Sequence, residues 1–379
     1  MDDRTKNYDT ETQKIGFVGF NFVTKHLVNK LAETANVHVW THSPPDTSLS
    51  KKINFHQHSL SWAGLREKFV QSGSQLTLPH YYKNLNKSLK KHPVDVIIVM
   101  DFIRIWYWQV LWYGYKNPNV KIILLTETKH KPSSLVGKIG FWVFIWVATL
   151  TQKRLHQILT YHPDGTQYLK KFLTRTPITH FVFPVSEETP LYQTPTPGES
   201  IRILVPARLV PFKRHIDVIE AMKQVPSTKN IQIDFASFVG LNNSPLENTL
   251  RKDIEQSGLT KKITIIPPIP QPFSNYYKLL KDYDVVLLPS ENEAVGAVVP
   301  AALRSGRACI TSDTVGANTF MKDGHTGYIF PTKDTGALSK VLIELDKSTI
   351  HQAGGYAACH MRTHYSTTAC TKIFLELVT

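Results

Sequence analysis

Three segments of the second half carry residues whose types and spacing could do chemistry. In IRILVPARLVPFKRHIDVIEAMKQ, residues 201–224, an apolar run ends at Val205, a loop presents Arg208 and Lys213, and a helical pattern starts near His215. Two cations at the carboxyl end of a strand, beside a helix N-terminus, form a clamp for a diphosphate. In LPSENEAVGAVVPAALRSGRACIT, residues 288–311, a strand closes on Pro289 and Ser290 and a turn carries Glu293, Ala294 and Val295. Gly296 lets backbone approach a ligand closely, and a small-residue helix is expected to begin there or at Ala297. Its N–H groups and positive dipole end suit a phosphate, and the Glu293 carboxylate can accept hydrogen bonds from ligand hydroxyls. In SDTVGANTFMKDGHTGYIF, residues 312–330, the glycines punctuate a tight turn into a strand.

The elements that must position these groups follow from hydrophobic patterning. In the first half, continuous apolar runs predict strands at 14–20, 37–41, 94–100 and 121–126, with a helix over 23–33. The second half repeats the scheme, with strands at 201–205, 231–238, 263–266, 284–288 and 308–311, and helices at 216–224, 276–281 and 296–305. Val/Ile/Leu runs separated by helices mark parallel sheets covered on both faces. The fold class is therefore α/β, two doubly wound domains with the ligand at the strands' carboxyl ends, facing a central cleft. The segment EETPLYQTPTPGES, 187–200, has three prolines and no apolar run and reads as a linker. The expected domains are 1–186 and 201–358, with 359–379 crossing back to the first.

The strand–ARLVPFK loop, the PSENEAVG turn, GRACITSDTVGAN and DGHTGYIF together resemble glycosyltransferase family 4, over residues 201–379. The resemblance implies a retaining enzyme of GT-B architecture, two Rossmann-like domains, that uses a nucleotide-diphosphate sugar. It places Arg208 and Lys213 on the donor diphosphate, Gly240 after a strand near the nucleotide, and Glu293 by the donor sugar. Ala294, Val295, Gly296 and Ala297 complete the donor-binding turn. The family's second glutamate, eight positions on, would fall at Ala301, which cannot accept a hydrogen bond. In the first domain many members have a histidine where this chain has Glu127, with His130 nearby; Glu127 is the active-site candidate there. Gly19, Asp101 and His162, and also His42, are cleft candidates by their position at strand ends. With two cations to meet the leaving diphosphate and no metal-carboxylate cluster in the sequence, no cofactor or metal requirement is expected.

Charge and composition bound the partners. The chain of 379 residues has a net charge of +14; residues 1–186 hold 24 basic and 11 acidic side chains, so nearly all the excess lies there. Such a field attracts anionic surfaces. Five of the seven tryptophans lie between 106 and 146, and the apolar run at 139–150 is too short to span a bilayer. Aromatic rings beside lysine and arginine suit a headgroup boundary, although the same rings could fill a core. The three cysteines lack metal-ligand spacing and fit a reducing compartment, and no apolar leader is read at the N-terminus. The expected location is cytoplasmic and peripheral on the membrane's inner face, with a glycan, lipid-linked glycan or lipid as acceptor. No nucleic-acid motif accompanies the charge, so nucleic acid is excluded as a partner. The alternative function is a catalytically degenerate partner or scaffold for an active transferase, suggested by Ala301.

Overall fold

The structure is a computed structural model that describes residues 13–19, 24–42, 49–60, 81–100, 105–126, 135–187, 189–192, 198–239, 246–291, 293 and 295–378. The chain divides into two compact units, residues 1–184 with 367–379, and residues 185–366.

The first unit is built on a seven-stranded parallel sheet in the order β3-β2-β1-β4-β5-β6-β7. Its strands are β1 (Lys14–Val18), β2 (Asn36–Thr41), β3 (Asn54–Gln57), β4 (Val96–Met100), β5 (Lys121–Thr126), β6 (Gln157–Thr160) and β7 (Ile178–His180). Helices α1 (Lys25–Leu31), α2 (Leu85–Lys91), α3 (Ile105–Lys116), α4 (Leu135–Thr151) and α5 (Pro163–Lys170) fall between them. The second unit has a six-stranded parallel sheet, β10-β9-β8-β11-β12-β13. Here β8 is Ile201–Pro206, β9 Ile231–Ala236, β10 Ile263–Ile265, β11 Val285–Leu288, β12 Ala308–Ser312 and β13 Gly327–Phe330. Its helices are α6 (His215–Lys223), α7 (Leu246–Gln256), α8 (Ser274–Leu279), α9 (Val298–Arg304), α10 (Thr335–Glu344) and α11 (Lys347–His364). A last helix, α12 (Thr367–Val378), belongs to the first unit, where Phe374 stacks on Phe17.

Both sheets start from the same local device. Asp95, just before β4, accepts from the Lys14 backbone N–H at 2.8 Å and donates its own N–H to the Lys14 carbonyl at 2.9 Å. Asp284, just before β11, does the same for Arg202, at 2.9 and 2.8 Å. Each aspartate thus sets the register between the first and fourth strands of its sheet. The central strands are enclosed on both faces: Ile97, Ile98, Val99 and Ile203, Leu204, Val205 are all buried. Each such side chain contributes about 1.5–3 kcal/mol relative to exposure.

Three boundaries differ from the sequence expectation. The helix expected from Gly296 begins at Val298, because Gly296 is left-handed, at φ 67°. The unit boundary falls at Pro184 rather than 186, and residues 187–200, where described, group with the second unit. The expected crossing at Cys359 lies inside α11, whose Ala357, Ala358 and Met361 are buried, so the chain passes between units only after Ser366.

The apolar run at 139–150 lies within α4 and splits by helical periodicity. Phe141, Ile145 and Ala148 are buried, while Trp142, Val143, Trp146 and Leu150 are exposed. No helix among the described residues is long and apolar enough to cross a membrane.

Candidate active site

The three motifs of the second half leave the carboxyl ends of β8, β11 and β12 and are hydrogen-bonded to one another. After β8 the chain turns tightly, with the Val210 N–H donating to the Arg208 carbonyl at 2.8 Å. A single 3₁₀ turn, Pro211–Lys213, follows, and Arg214 takes a left-handed conformation before α6. Arg214 can hold that turn because its guanidinium forms two bonds to the Asp217 carboxylate, at 2.9 and 2.6 Å. The Phe212 carbonyl accepts from the Glu291 N–H at 2.8 Å, which ties the loop after β8 to the loop after β11. That second loop is tied to the third. The Ser290 carbonyl accepts from the Ser312 and Thr314 hydroxyls, at 2.5 and 2.7 Å, and the Glu293 carbonyl accepts from the Gly316 N–H at 2.8 Å.

This convergence brings Lys213 against Glu293, whose carboxylate forms an ion pair with the Lys213 ammonium. The other carboxylate oxygen accepts from the Gly296 N–H at 3.3 Å. Gly296 is required at this corner: besides its left-handed φ, a Cβ there would lie 3.0 Å from Val315 and 3.2 Å from Glu293 Cγ. Arg208 is exposed, with its guanidinium 5.7 Å from the Phe212 ring centroid; the Lys213 ammonium lies 5.4 Å from the same ring. Burial, and then the charge of Arg208, lower the Lys213 ammonium to about 8. His215, buried at the start of α6 against Phe235, is pushed down to about 3 by burial and by Lys213, so it is neutral near pH 7.

Chemically, the corner presents one exposed cation, one buried cation near its titration range, and a carboxylate held by two donors. A diphosphate approaching Arg208 would compete with Glu293 for Lys213 and for the Gly296 N–H. Released from Lys213, the carboxylate would present a hydrogen-bond acceptor beside the two cations.

Of the residues singled out in the sequence, Arg208, Lys213, Glu293 and Gly296 come together in this corner, with Val295 and Ala297 flanking Gly296. Ala301, at the position of the second family glutamate, is fully enclosed in α9. In the first unit, Gly19 ends β1 at φ 86°, and a Cβ there would meet the Trp106 indole nitrogen at 2.9 Å. Its glycine identity is thus accounted for by Trp106 packing over the strand end. His162 caps α5, its Nδ1 accepting from the Asp164 N–H at 2.9 Å. Asp101, Glu127, Gly240 and Ala294 lie outside the described residues. The sequence reading passed over Phe212, which underlies both cations, and Thr314 and Gly316, which hold the Glu293 loop. Phe212 was legible as the aromatic between Arg208 and Lys213; the Thr314 contact depends on strand order and left no local signal.

Comparison with known proteins adds to this geometry. Residues 189–354 match the family described as "Glycosyl transferases group 1". The D-inositol 3-phosphate glycosyltransferase of Nocardia farcinica is 29% identical over 105 residues, 27% of this chain and 23% of that protein, so the match spans under a quarter of the relative's length. Among solved structures, sucrose-phosphate synthase from Thermosynechococcus elongatus superposes with a TM-score of 0.72 at 14% identity, over 96% of this chain and 98% of that one. HepE of Anabaena, solved in complex with UDP and glucose, gives a TM-score of 0.72 at 12% identity with the same coverage. The region that holds Arg208, Lys213, Glu293 and Gly296 thus matches the glycosyl transferases group 1 family, in a chain whose two parallel-sheet units have the fold of GT-B glycosyltransferases.

Proposed function

We propose that the chain transfers a glycosyl group, with retention of anomeric configuration, from a nucleotide-diphosphate sugar to a glycan, lipid-linked glycan or lipid. The observation that carries this reading is the contact of Lys213 with Glu293 beside Arg208, inside the region matched to the glycosyl transferases group 1 family. Breaking the sugar–phosphate bond leaves negative charge on the diphosphate. Arg208 and Lys213 stabilise that charge as it develops, which is the term that lowers the barrier most in such a site. These two cations do the work without a metal ion at the diphosphate. Glu293, released from Lys213 by the incoming phosphate, then holds the donor sugar through its hydroxyls. In the retaining reaction the acceptor enters on the face the diphosphate leaves, and a phosphate oxygen takes the acceptor proton.

The test is turnover of a panel of nucleotide sugars, beginning with UDP-glucose because HepE was solved with UDP and glucose. NMR of the product reports the anomeric configuration. An inverted product overturns the retaining mechanism, and nucleotide binding without turnover of any donor favours the partner or scaffold reading that Ala301 suggests.

The same proposal places the enzyme at the cytoplasmic face of a membrane. Support comes from the exposed side of α4, where Trp142, Val143, Trp146 and Leu150 stand together, and from Trp112 and Tyr115 exposed on α3. Trp142 packs edge-on against Phe172, next to exposed Lys170 and Lys171, the pairing of aromatic rings with cations that suits anionic headgroups. Co-sedimentation with vesicles containing phosphatidylglycerol should fall sharply in Trp142→Ser/Trp146→Ser. Equal binding by that variant overturns this part of the reading.

A further inference from the structure

A second constellation lies in the first unit, on the outer edge of its sheet. His38 is in β2 and His56 in the neighbouring edge strand β3. The parallel register sets Trp40 opposite His56, so His38 and His56 are diagonal neighbours on one face. On that face lies α2, held by a hydrogen bond from the Trp40 indole to Ser88 at 2.9 Å. It ends at His92, whose N–H donates to the Ser88 carbonyl at 2.9 Å. The helix end therefore delivers a third imidazole onto the other two.

The three rings are close enough to share one ion. A nitrogen of each lies within 4.8 Å of the others, and His38 Nδ1 is 2.9 Å from His56 Nε2. Zinc–imidazole bonds of about 2.0–2.1 Å at tetrahedral angles set ligand nitrogens roughly 3.3 Å apart. The one at 2.9 Å falls a little short of that value and none exceeds 4.8 Å, so the rings need shifts of roughly an ångström to share an ion. Trp40 stacks on His56 and His38 at 4.8 and 5.6 Å and limits how far either ring can turn away. His56 and His92 are half-buried, which leaves the ion a route from solvent and a water as fourth ligand. Burial, then His92, hold His38 and His56 below the ordinary histidine range, consistent with neutral rings that can ligate. The other charged or titratable groups acting on the pair are Lys14, Lys91 and His58; being basic, they weaken the site.

We propose that His38, His56 and His92 form a three-histidine site for a zinc-class divalent cation, which clasps the short edge strand β3 to β2 and to the end of α2. When the ion binds, the hydrogen shared between His38 and His56 moves to the donor ring's other nitrogen, and both lone pairs turn to the metal. A strand of four residues with polar ends gains its anchorage from that clasp.

The test uses the full chain after EDTA treatment and dialysis, with zinc chloride as the probe. Calorimetry should give one zinc per chain with micromolar affinity, and zinc should raise the melting temperature reversibly to EDTA. His92→Gln, at a half-exposed helix end, should weaken binding at least about tenfold. His56→Asn/His92→Gln should abolish it while unfolding remains cooperative. Cobalt in place of zinc should show the visible absorption of a four-coordinate site in the wild type and lose it in the double variant. The exposed side of α11 carries a second pair, His360 and His364, with ring centroids 4.9 Å apart, and His360→Ala/His364→Ala should leave the stoichiometry unchanged. Unaltered zinc uptake by His56→Asn/His92→Gln, loss of uptake in the α11 variant, or no uptake by the wild type each overturns the proposal.

Discussion

Lys213 and Glu293, 80 residues apart in the chain, form an ion pair at the corner where the loops after β8 and β11 meet. Their side chains are only 11% and 19% exposed, so each charge depends on the other for what water would otherwise supply. In the proposed reaction the incoming diphosphate takes over that dependence, and four predictions test the corner that holds the pair.

Removing the carboxylate's charge separates binding from turnover. In Glu293→Gln the competitor for Lys213 is gone, while the amide oxygen can still accept from Gly296. Calorimetry should show the nucleoside diphosphate binding several-fold tighter. Transfer should nevertheless fall by about 10²-fold or more, because the group proposed to hold the donor sugar is weakened. Weaker diphosphate binding in this variant would contradict the competition.

Arg208→Ala and Lys213→Ala should each lower kcat/KM by about 10²–10³-fold, the usual cost of losing one donor to developing charge. Stability should tell them apart. Arg208 is exposed, and its loss should leave the melting temperature in place. Lys213→Ala strands the Glu293 carboxylate and should cost about 1–3 kcal/mol in urea unfolding.

The Lys213 ammonium, lowered to about 8 by burial and by Arg208, makes activity pH-dependent on the basic side. It is charged below that value and neutral above it, so kcat/KM should fall as pH rises through about 8. A bound diphosphate favours the charged form, so the corresponding limb of kcat should lie at higher pH. Lys213→Arg, whose guanidinium stays charged, should flatten the basic limb of kcat/KM. Identical pH profiles for the two proteins would remove Lys213 from the titration.

Gly296→Ala should be damaging for its size. The left-handed backbone costs a residue with a Cβ about 1–2 kcal/mol, and the added methyl meets Val315 at 3.0 Å and Glu293 Cγ at 3.2 Å. Urea unfolding should register that loss. Displacement of Glu293 should lower turnover beyond what the stability change explains at a temperature where the variant is folded.

Much of this is legible in the sequence. The apolar run 121–126 predicts β5 with its observed bounds, because a run this short and rich in Ile and Leu between polar loops suits a buried strand better than a helix. Asp95 and Asp284 blur two strand starts, since an aspartate that bonds to a backbone N–H at the start of the neighbouring strand looks in sequence like part of its own strand. The helix expected from Gly296 began two residues late because the Gly296 N–H is turned toward Glu293. The reach of α11 to His364 is masked by the pair Gly354 and Gly355, which reads as a helix stop, although Ile350, Ala353, Ala357, Ala358 and Met361 keep helical spacing through it.

By itself the sequence determined two parallel-sheet units, the loops that carry Arg208, Lys213, Glu293 and Gly296, and the concentration of positive charge in the first half. These are local properties: periodicity, turn chemistry and charge are written along the chain. Only the tertiary structure decided that Lys213 is paired with Glu293, that Ala301 is enclosed, that α4 turns one face to the core and one outward, and that His38, His56 and His92 meet. Each of those depends on which strands lie side by side and which helix ends over them. The order β3-β2-β1-β4 brings together residues 18 and 36 positions apart, and no spacing in the sequence marks them as neighbours.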